Sequence, residues 1–273
     1  MMRGLLSRPE GMLGAILLAV LLLIAALAPW IAPGDPLALV ARPLILPFTD
    51  AAHPLGTDRL GRDLLSALIH GARTSVTVGL SAALIAVGLG MVIGTLAGFA
   101  GGWTGAVLMR VVDAFQIVPG FLLALAFVSV LGPSLWMVVL AIGLGAWTGP
   151  ARLARARVLA LREADFVAAA RVLGHHPLQI AVRQIMPLAL PPVLSLVAVI
   201  VAEAILTESA LSFLGLGDPN VVTWGLMIAE GRNQLRAYPW LSIIPGLALV
   251  VTVIATYLVG EAVTDRISAR RSA

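Results

Sequence analysis

The 273 residues are 60% hydrophobic and 12% charged, with a formal net charge of +4 and a mean hydropathy of +1.01. So much apolar surface excludes a water-soluble globular domain and places the chain in a bilayer. All eighteen basic residues are arginine and there is no cysteine, which excludes disulfides, thiolate metal sites, cysteine nucleophiles and a phosphate loop built on lysine.

Arg3 and Arg8 lie in a short N-terminal segment, residues 1–10, predicted to be cytoplasmic. The uncharged run at residues 11–32 is long enough, at 1.5 Å per residue, to cross a hydrocarbon core of about 30 Å. It is predicted as an uncleaved first span, because the apolar core of a cleaved signal is shorter, about 7–15 residues. Residues 33–73 are polar and proline-rich and are predicted outside, with a turn at Gly56-Thr57-Asp58. An interfacial helix there would carry Leu60, Leu64, Leu65 and Leu68. Asp58, Arg62 and Asp63 are either a local ion-pair set or solvated surface. The second span, residues 74–102, has no charge, and Gly90, Gly94, Gly98 and Gly102 recur every four residues. That spacing makes a smooth groove for a neighbouring helix, either within the chain or at a subunit interface.

A short inside turn is predicted around Arg110 and Asp113. Residues 114–151 form an uncharged stretch about twice the length of one span, interrupted at Leu131-Gly132-Pro133-Ser134, hence a hairpin of two spans. Residues 152–187 are the one long polar interval between apolar segments, holding six of the eighteen arginines. Within it Asp165 can cap a short helix with Phe166, Ala169, Ala170 and Leu173 on one side. Gly174 supplies the left-handed residue that ends a helix, and Pro177 blocks its continuation. So short a helix is marginal alone and needs something to pack against; the alternative is an amphipathic connector resting on lipid headgroups.

The fifth span, residues 188–206, opens with Pro191-Pro192 and carries Glu203 and Glu208 toward its outer end. An ionisable group at membrane depth is a functional candidate, here for a translocation path or external gate; at an outer boundary, however, a carboxylate simply reaches water. Residues 211–240 are predicted outside. A last span at 241–260 returns the chain to an inside tail, residues 263–273. Six spans with both ends inside place twelve arginines inside and six outside, the bias expected of cytoplasmic segments. The basic residues are thus divided by membrane side, and nucleic acid is not a predicted partner. His175 and His176 invite a metal reading, since imidazole suits nickel, but beside Gly174 they are predicted to hydrogen-bond a loop, and no metal site is predicted.

Three stretches resemble one family. FVAAARVLG at residues 166–174, followed after ten residues by Ile185-Met186-Pro187, is similar to the EAA loop of ABC importer permeases. HPLGTDRLGRDLLSALIHGARTS, residues 53–75, matches the segment before the second span of dipeptide and nickel permeases. LSFLGLG at 211–217 and WGLMIAEGR at 224–232 resemble the same group. The resemblance implies an all-α integral membrane protein with the MetI-like type I importer permease fold, the core domain at residues 74–262.

In that family the loop is a coupling helix that docks on an ATPase. The implied coupling residues are Phe166, Val167, Ala168, Ala169, Ala170, Arg171, Leu173, Gly174 and Pro187. Two positions depart from the pattern: the motif's glutamate falls on Ala168 and its leucine on Met186. The implied assembly contains a homologous second permease, two ATPase subunits or domains, and an extracytoplasmic binding protein, in a bacterial inner membrane. ATP and Mg would be bound by those partners, this chain holding no cofactor and catalysing no reaction. Small peptides are the implied cargo, with nickel or another small solute as the alternative. A secondary transporter is a distant alternative, weakened by the lack of an internal repeat.

Overall fold

The computed structural model describes residues 9–272, with side chains described to residue 265. Arg3, Arg8 and the tail side chains of Arg266, Arg270 and Arg271 lie outside the described residues. The chain runs through α1 (Pro9–Ile31), α2 (Leu64–Ala100), α3 (Gly102–Ile117), α4 (Gly120–Leu131), α5 (Leu135–Ala146) and α6 (Thr148–Leu161). It continues through α7 (Asp165–Val172), α8 (Pro177–Ile180), a π-helical turn (Ala181–Ile185), α9 (Met186–Leu194), α10 (Val197–Phe213), α11 (Trp224–Gly231) and α12 (Trp240–Ser272).

Three helices, α1, α2 and α12, are each long and apolar enough to cross a bilayer alone. Three helix pairs are long and apolar enough together, each counting as a span if its two bent halves are taken as one: α3 with α4 bent by 84°, α5 with α6 by 42°, and α8–α9 with α10 by 57°. The α3–α4 bend has a cause at its own break, and prolines also interrupt the ladder ahead of α10. Val118 precedes Pro119 and is extended (φ −89°, ψ 125°), as a residue before proline prefers. Pro187 lacks the N–H that would continue the ladder, and the π turn falls immediately before it, with Met186 N–H reaching back to Ala181 O. Pro191 and Pro192 remove two more donors from α9.

The longest helix is α2, whose 37 residues reach about 56 Å. No proline interrupts it, and the Asp63 carboxylate caps its start by accepting from Leu65 N–H at 3.0 Å. The interfacial helix expected around residues 60–68 is therefore not a separate element: Leu64, Leu65 and Leu68 lie in the first turns of α2, and Leu60 precedes it. The helix ends where Gly101 and Gly102 both take positive φ. The inside turn expected at Arg110 and Asp113 is instead helical, within α3.

Gly90, Gly94 and Gly98 face α6. A Cβ on Gly90 would sit 2.5 Å from Pro150 Cβ, one on Gly94 would meet Ala151 O and Ala154, and one on Gly98 would sit 2.9 Å from Val158 Cβ. The groove is thus internal. Gly102 is not part of it, having open space where its Cβ would be.

The segment at 33–63 folds around the buried Thr57 hydroxyl, which donates to Arg42 O at 2.7 Å and accepts from Ile45 N–H at 3.0 Å. Gly56 and Gly61 have positive φ, and a Cβ on either would strike a carbonyl oxygen, of Ile45 and Ala41 respectively. Arg62 lies 3.5 Å from Glu230 on α11 and 3.9 Å from Asp58, whereas Asp63 serves the helix cap. Burial raises the Glu230 carboxyl above its usual range, against the opposing pull of Arg62. Trp224 completes this end of the bundle: its indole N–H donates to Leu68 O at 3.0 Å, and it packs on Gly71 of α2.

Candidate functional site

Two features stand out as sites: a short helix presented outside the bundle, and a cavity where the broken spans meet. The polar interval at 152–187 is mostly helical. Its first ten residues belong to α6, and Arg152 there donates to Asp113 of α3 at 2.6 Å. Three residues then lead into α7. Ala164, not Asp165, occupies the N-cap position, so Asp165 is the first helical residue, where its charge favours the helix N-terminus. Gly174 takes φ +79°, with His175 N–H bonded to Ala170 O and Gly174 N–H to Arg171 O, the two bonds of a Schellman terminus. Pro177 begins α8 rather than merely stopping α7, with His176 capping it through Nδ1. His175 pairs with Gln184 at 3.2 Å, and among the described residues no group of His, Asp and Glu is placed to hold a metal.

The faces of α7 differ from the expected grouping. Val167 and Ala170 turn inward and are buried, whereas Phe166, Ala168, Ala169, Arg171, Val172 and Leu173 are exposed. Val172 and Leu173 are 88% and 76% exposed, an unusual position for two large aliphatic side chains side by side. Val167 inserts into the cluster formed by Ala154 and Val158 of α6 with Ile180 and Ile185, which fixes α7 to the bundle. Pro187 lies in the first turn of α9, away from this face. A second attachment is Arg162, whose guanidinium donates to Gly98 O at 3.1 Å, capping the end of α2. The end of α6 that leads into α7 is therefore tied to the end of α2 through Arg162 and the glycine seam.

The cavity, of about 620 Å³, lies between α3–α4, α5–α6 and α10, and all three breaks border it: Gly120, Ala146 and Leu196 are in its lining. Non-helical backbone at membrane depth is tolerated where it lines such a cavity. Gln116, Thr148, Glu203 and Thr207 give it polar character. Helix α10 continues past both glutamates to Phe213; Glu203 is ten residues, about 15 Å, before that end, and Glu208 is five.

Their environments diverge. Glu203 is exposed to the cavity. Glu208 is 2% exposed and faces away, accepting from the Ser212 hydroxyl at 2.6 Å and from Ser209 at 3.5 Å. Thr223, which caps α11 by accepting from Leu226 N–H, donates onward to Ser212. Glu208 thus fastens α10 to α11. Glu208→Leu would strand buried hydroxyls, and we expect a loss of about 1–3 kcal/mol, read as a lower unfolding temperature of the purified protein in detergent.

The sequence reading missed the cavity, the Arg162 attachment and the Thr57 hub. A signal for the cavity existed: proline and glycine interruptions in apolar runs mark the broken helices that surround binding sites in transporters, and Val118-Pro119 and Gly149-Pro150 are such interruptions.

Helices broken around one open-sided cavity, beside a short helix with exposed apolar residues, fit a multi-pass membrane protein of the transport class. The chain belongs to the family of binding-protein-dependent transport system inner membrane components, whose model matches residues 90–272. It is 38% identical to a putative peptide transport system permease protein of Brucella suis biovar 1 (strain 1330), over 98% of this chain and 90% of that one. It is equally 38% identical to the di/tripeptide transport system permease protein DppC of Pseudomonas aeruginosa (strain UCBPP-PA14), over 94% and 87%, and to the nickel transport system permease protein NikC of Escherichia coli (strain K12), over 96% and 94%. A chain of the inward-facing MetNI methionine ABC transporter superposes with a TM-score of 0.59 at 17% identity, covering 75% of this chain and 97% of that one. The fold is therefore MetI-like.

Proposed function

We propose that this chain is the membrane-spanning permease subunit of an ATP-driven ABC importer for small peptides, working beside a homologous second permease. The observation that carries the reading is the exposed apolar face of α7 in a chain 38% identical, along nearly its whole length, to peptide transport permeases. Two ATPase subunits or domains would bind ATP and Mg and receive α7; an extracytoplasmic binding protein would deliver the solute at the opposite end, beside α11. The end carrying α7 would be cytoplasmic, with both termini on that side, in a bacterial inner membrane. Nucleic acid has no part in this.

The coupling works by differential contact. When the ATPases close, α7 moves with the surface that holds Phe166, Ala168, Ala169, Arg171, Val172 and Leu173, while Val167 and Ala170 hold it to the core cluster of the bundle. A ligand or partner shifts a two-state equilibrium only by what it contacts differently in the two states, and α7 is the part that reaches the ATPases. Gly174 keeps its angle, and Pro187 follows the π turn that leads into α9. The cavity at the three breaks forms this chain's wall of the translocation path. Glu203 stands in it; Glu208 acts as a structural tie toward the outer end.

Nickel is the second reading, favoured by the equal identity to a nickel permease. ATP hydrolysis by the complex reconstituted with its co-permease, ATPases and binding protein separates the two. Stimulation by a dipeptide mixture and not by nickel is expected; stimulation by nickel alone would replace the peptide assignment.

A further inference from the structure

We infer that Glu203 selects for positive charge in the translocation path, taking either the ammonium group of a peptide or a divalent cation as the solute passes. The inference rests on the reading of the cavity as part of that path.

Three observations support it. Among the described residues, Glu203 is the sole ionisable one in the cavity lining, with no arginine or histidine beside it there to neutralise it. Its carboxylate makes no hydrogen bond or ion pair among the described residues, whereas Glu208, five residues on along the same helix, is surrounded by hydroxyl donors. Two carboxylates on one helix have thus been treated oppositely: one is satisfied and sealed in, and the other is left with its acceptor capacity open to the cavity. Third, Glu203 lies about 15 Å inside the end of α10, where an unpaired charge is costly unless it faces water or a charged partner. A lone negative charge in a cleft with low-dielectric walls concentrates cations there and repels anions. Gln116, Thr148 and Thr207 supply neutral hydrogen-bonding groups around it, which fix orientation but carry no preference of sign.

The test is solute uptake into proteoliposomes containing the whole importer, with dialanine, N-acetyl-dialanine and radioactive nickel as three separate cargos. Because the same binding protein serves every permease variant, its own preference cancels when variants are compared. In Glu203→Gln we expect uptake of the cargo that carries a positive group, the ammonium of zwitterionic dialanine or the nickel ion, to fall about tenfold, the scale of one lost charge-assisted interaction. The advantage of dialanine over N-acetyl-dialanine should narrow by the same factor. Glu203→Asp, which keeps the charge, should retain most of both. A loss confined to dialanine identifies the ammonium as the source of the charge, and a loss confined to nickel identifies the metal.

Wild-type uptake and an unchanged acetylation ratio in Glu203→Gln would overturn the inference. So would equal losses in the Gln and Asp variants, which would mark a structural role. Gly149→Trp separates this from the underlying reading, since Gly149 borders the cavity and has open space at its Cβ position. If that plug stops all uptake while Glu203→Gln changes nothing, charge selection alone is wrong. If the plug leaves uptake intact, the cavity is not the path and both readings fall together.

Discussion

Gly94→Leu should prevent a stable transporter from assembling, with a loss of about 3 kcal/mol, the upper part of the range for overpacking a close interface. At Gly94 an added Cβ would meet Ala151 O, with Ala154 Cβ at 2.7 Å and Arg155 N at 3.0 Å. Two of these three atoms are backbone, so the clash is relieved only by moving α6 off α2. That separation would open the cluster in which Ala151, Ala154 and Val158 of α6 pack against Ala86, Val87 and Met91 of α2. Gly88→Leu is the control, because Gly88 lies on the same helix with nothing near its Cβ position. Thermal unfolding in detergent should show Gly94→Leu melting well below wild type and Gly88→Leu close to it. Equal melting of the two variants would remove the seam from this account.

The second large effect is functional rather than structural. Gly174→Val should cut ATP-driven uptake at least about tenfold while the protein still reaches the membrane at near-normal level. The left-handed backbone at Gly174, φ +79°, costs a side-chain-bearing residue about 1–2 kcal/mol, and valine is branched at Cβ as well. No atom lies within 4 Å of its Cβ position, so the penalty falls on the backbone: the Schellman terminus opens and α7 leaves its angle. Leu173→Asp reaches the same end by another route. Leu173 is 76% exposed, so its replacement should leave the melting temperature of the isolated permease unchanged while weakening its co-purification with the ATPases. Normal uptake and co-purification in both variants would show that α7 is not the coupling element.

Much of the chain was legible because its signals are local. Uncharged runs of about twenty residues located α1, α2 and α12, and the break at Gly132-Pro133 separated α4 from α5 as expected. Gly174 was identified from backbone chemistry alone, since a glycine after a short apolar helix supplies positive φ at little cost. Elsewhere local signals misled. The leucine stripe at Leu60, Leu64, Leu65 and Leu68 suggested an interfacial helix, but the uninterrupted sequence from Leu64 onward joined it to α2. The charges Arg110 and Asp113 suggested a turn, but Asp113 is paired with Arg152 across α3 and α6, and paired charges sit readily on a helix. On α7 the i, i+3, i+4 spacing grouped Ala170 with Phe166, Ala169 and Leu173, yet the helix is rotated so that Val167 and Ala170 face the bundle. Periodicity alone could not choose that rotation, because all sides of this helix carry apolar residues.

The sequence by itself determined the solvent, the three long spans, the short helix in the polar interval and its glycine terminus. Each follows from the composition or order of neighbouring residues, which set hydrophobic length and backbone conformation without reference to the rest of the chain. The tertiary structure alone decided that the glycine groove is an internal seam, that three helix breaks distant in sequence border one cavity, and that Glu203 faces it while Glu208 is sealed against serines. Those facts depend on the rotation and bend of helices against partners far away in sequence. A one-turn difference in register or a proline-induced bend changes which face meets which neighbour, and nothing in the local sequence records the neighbour.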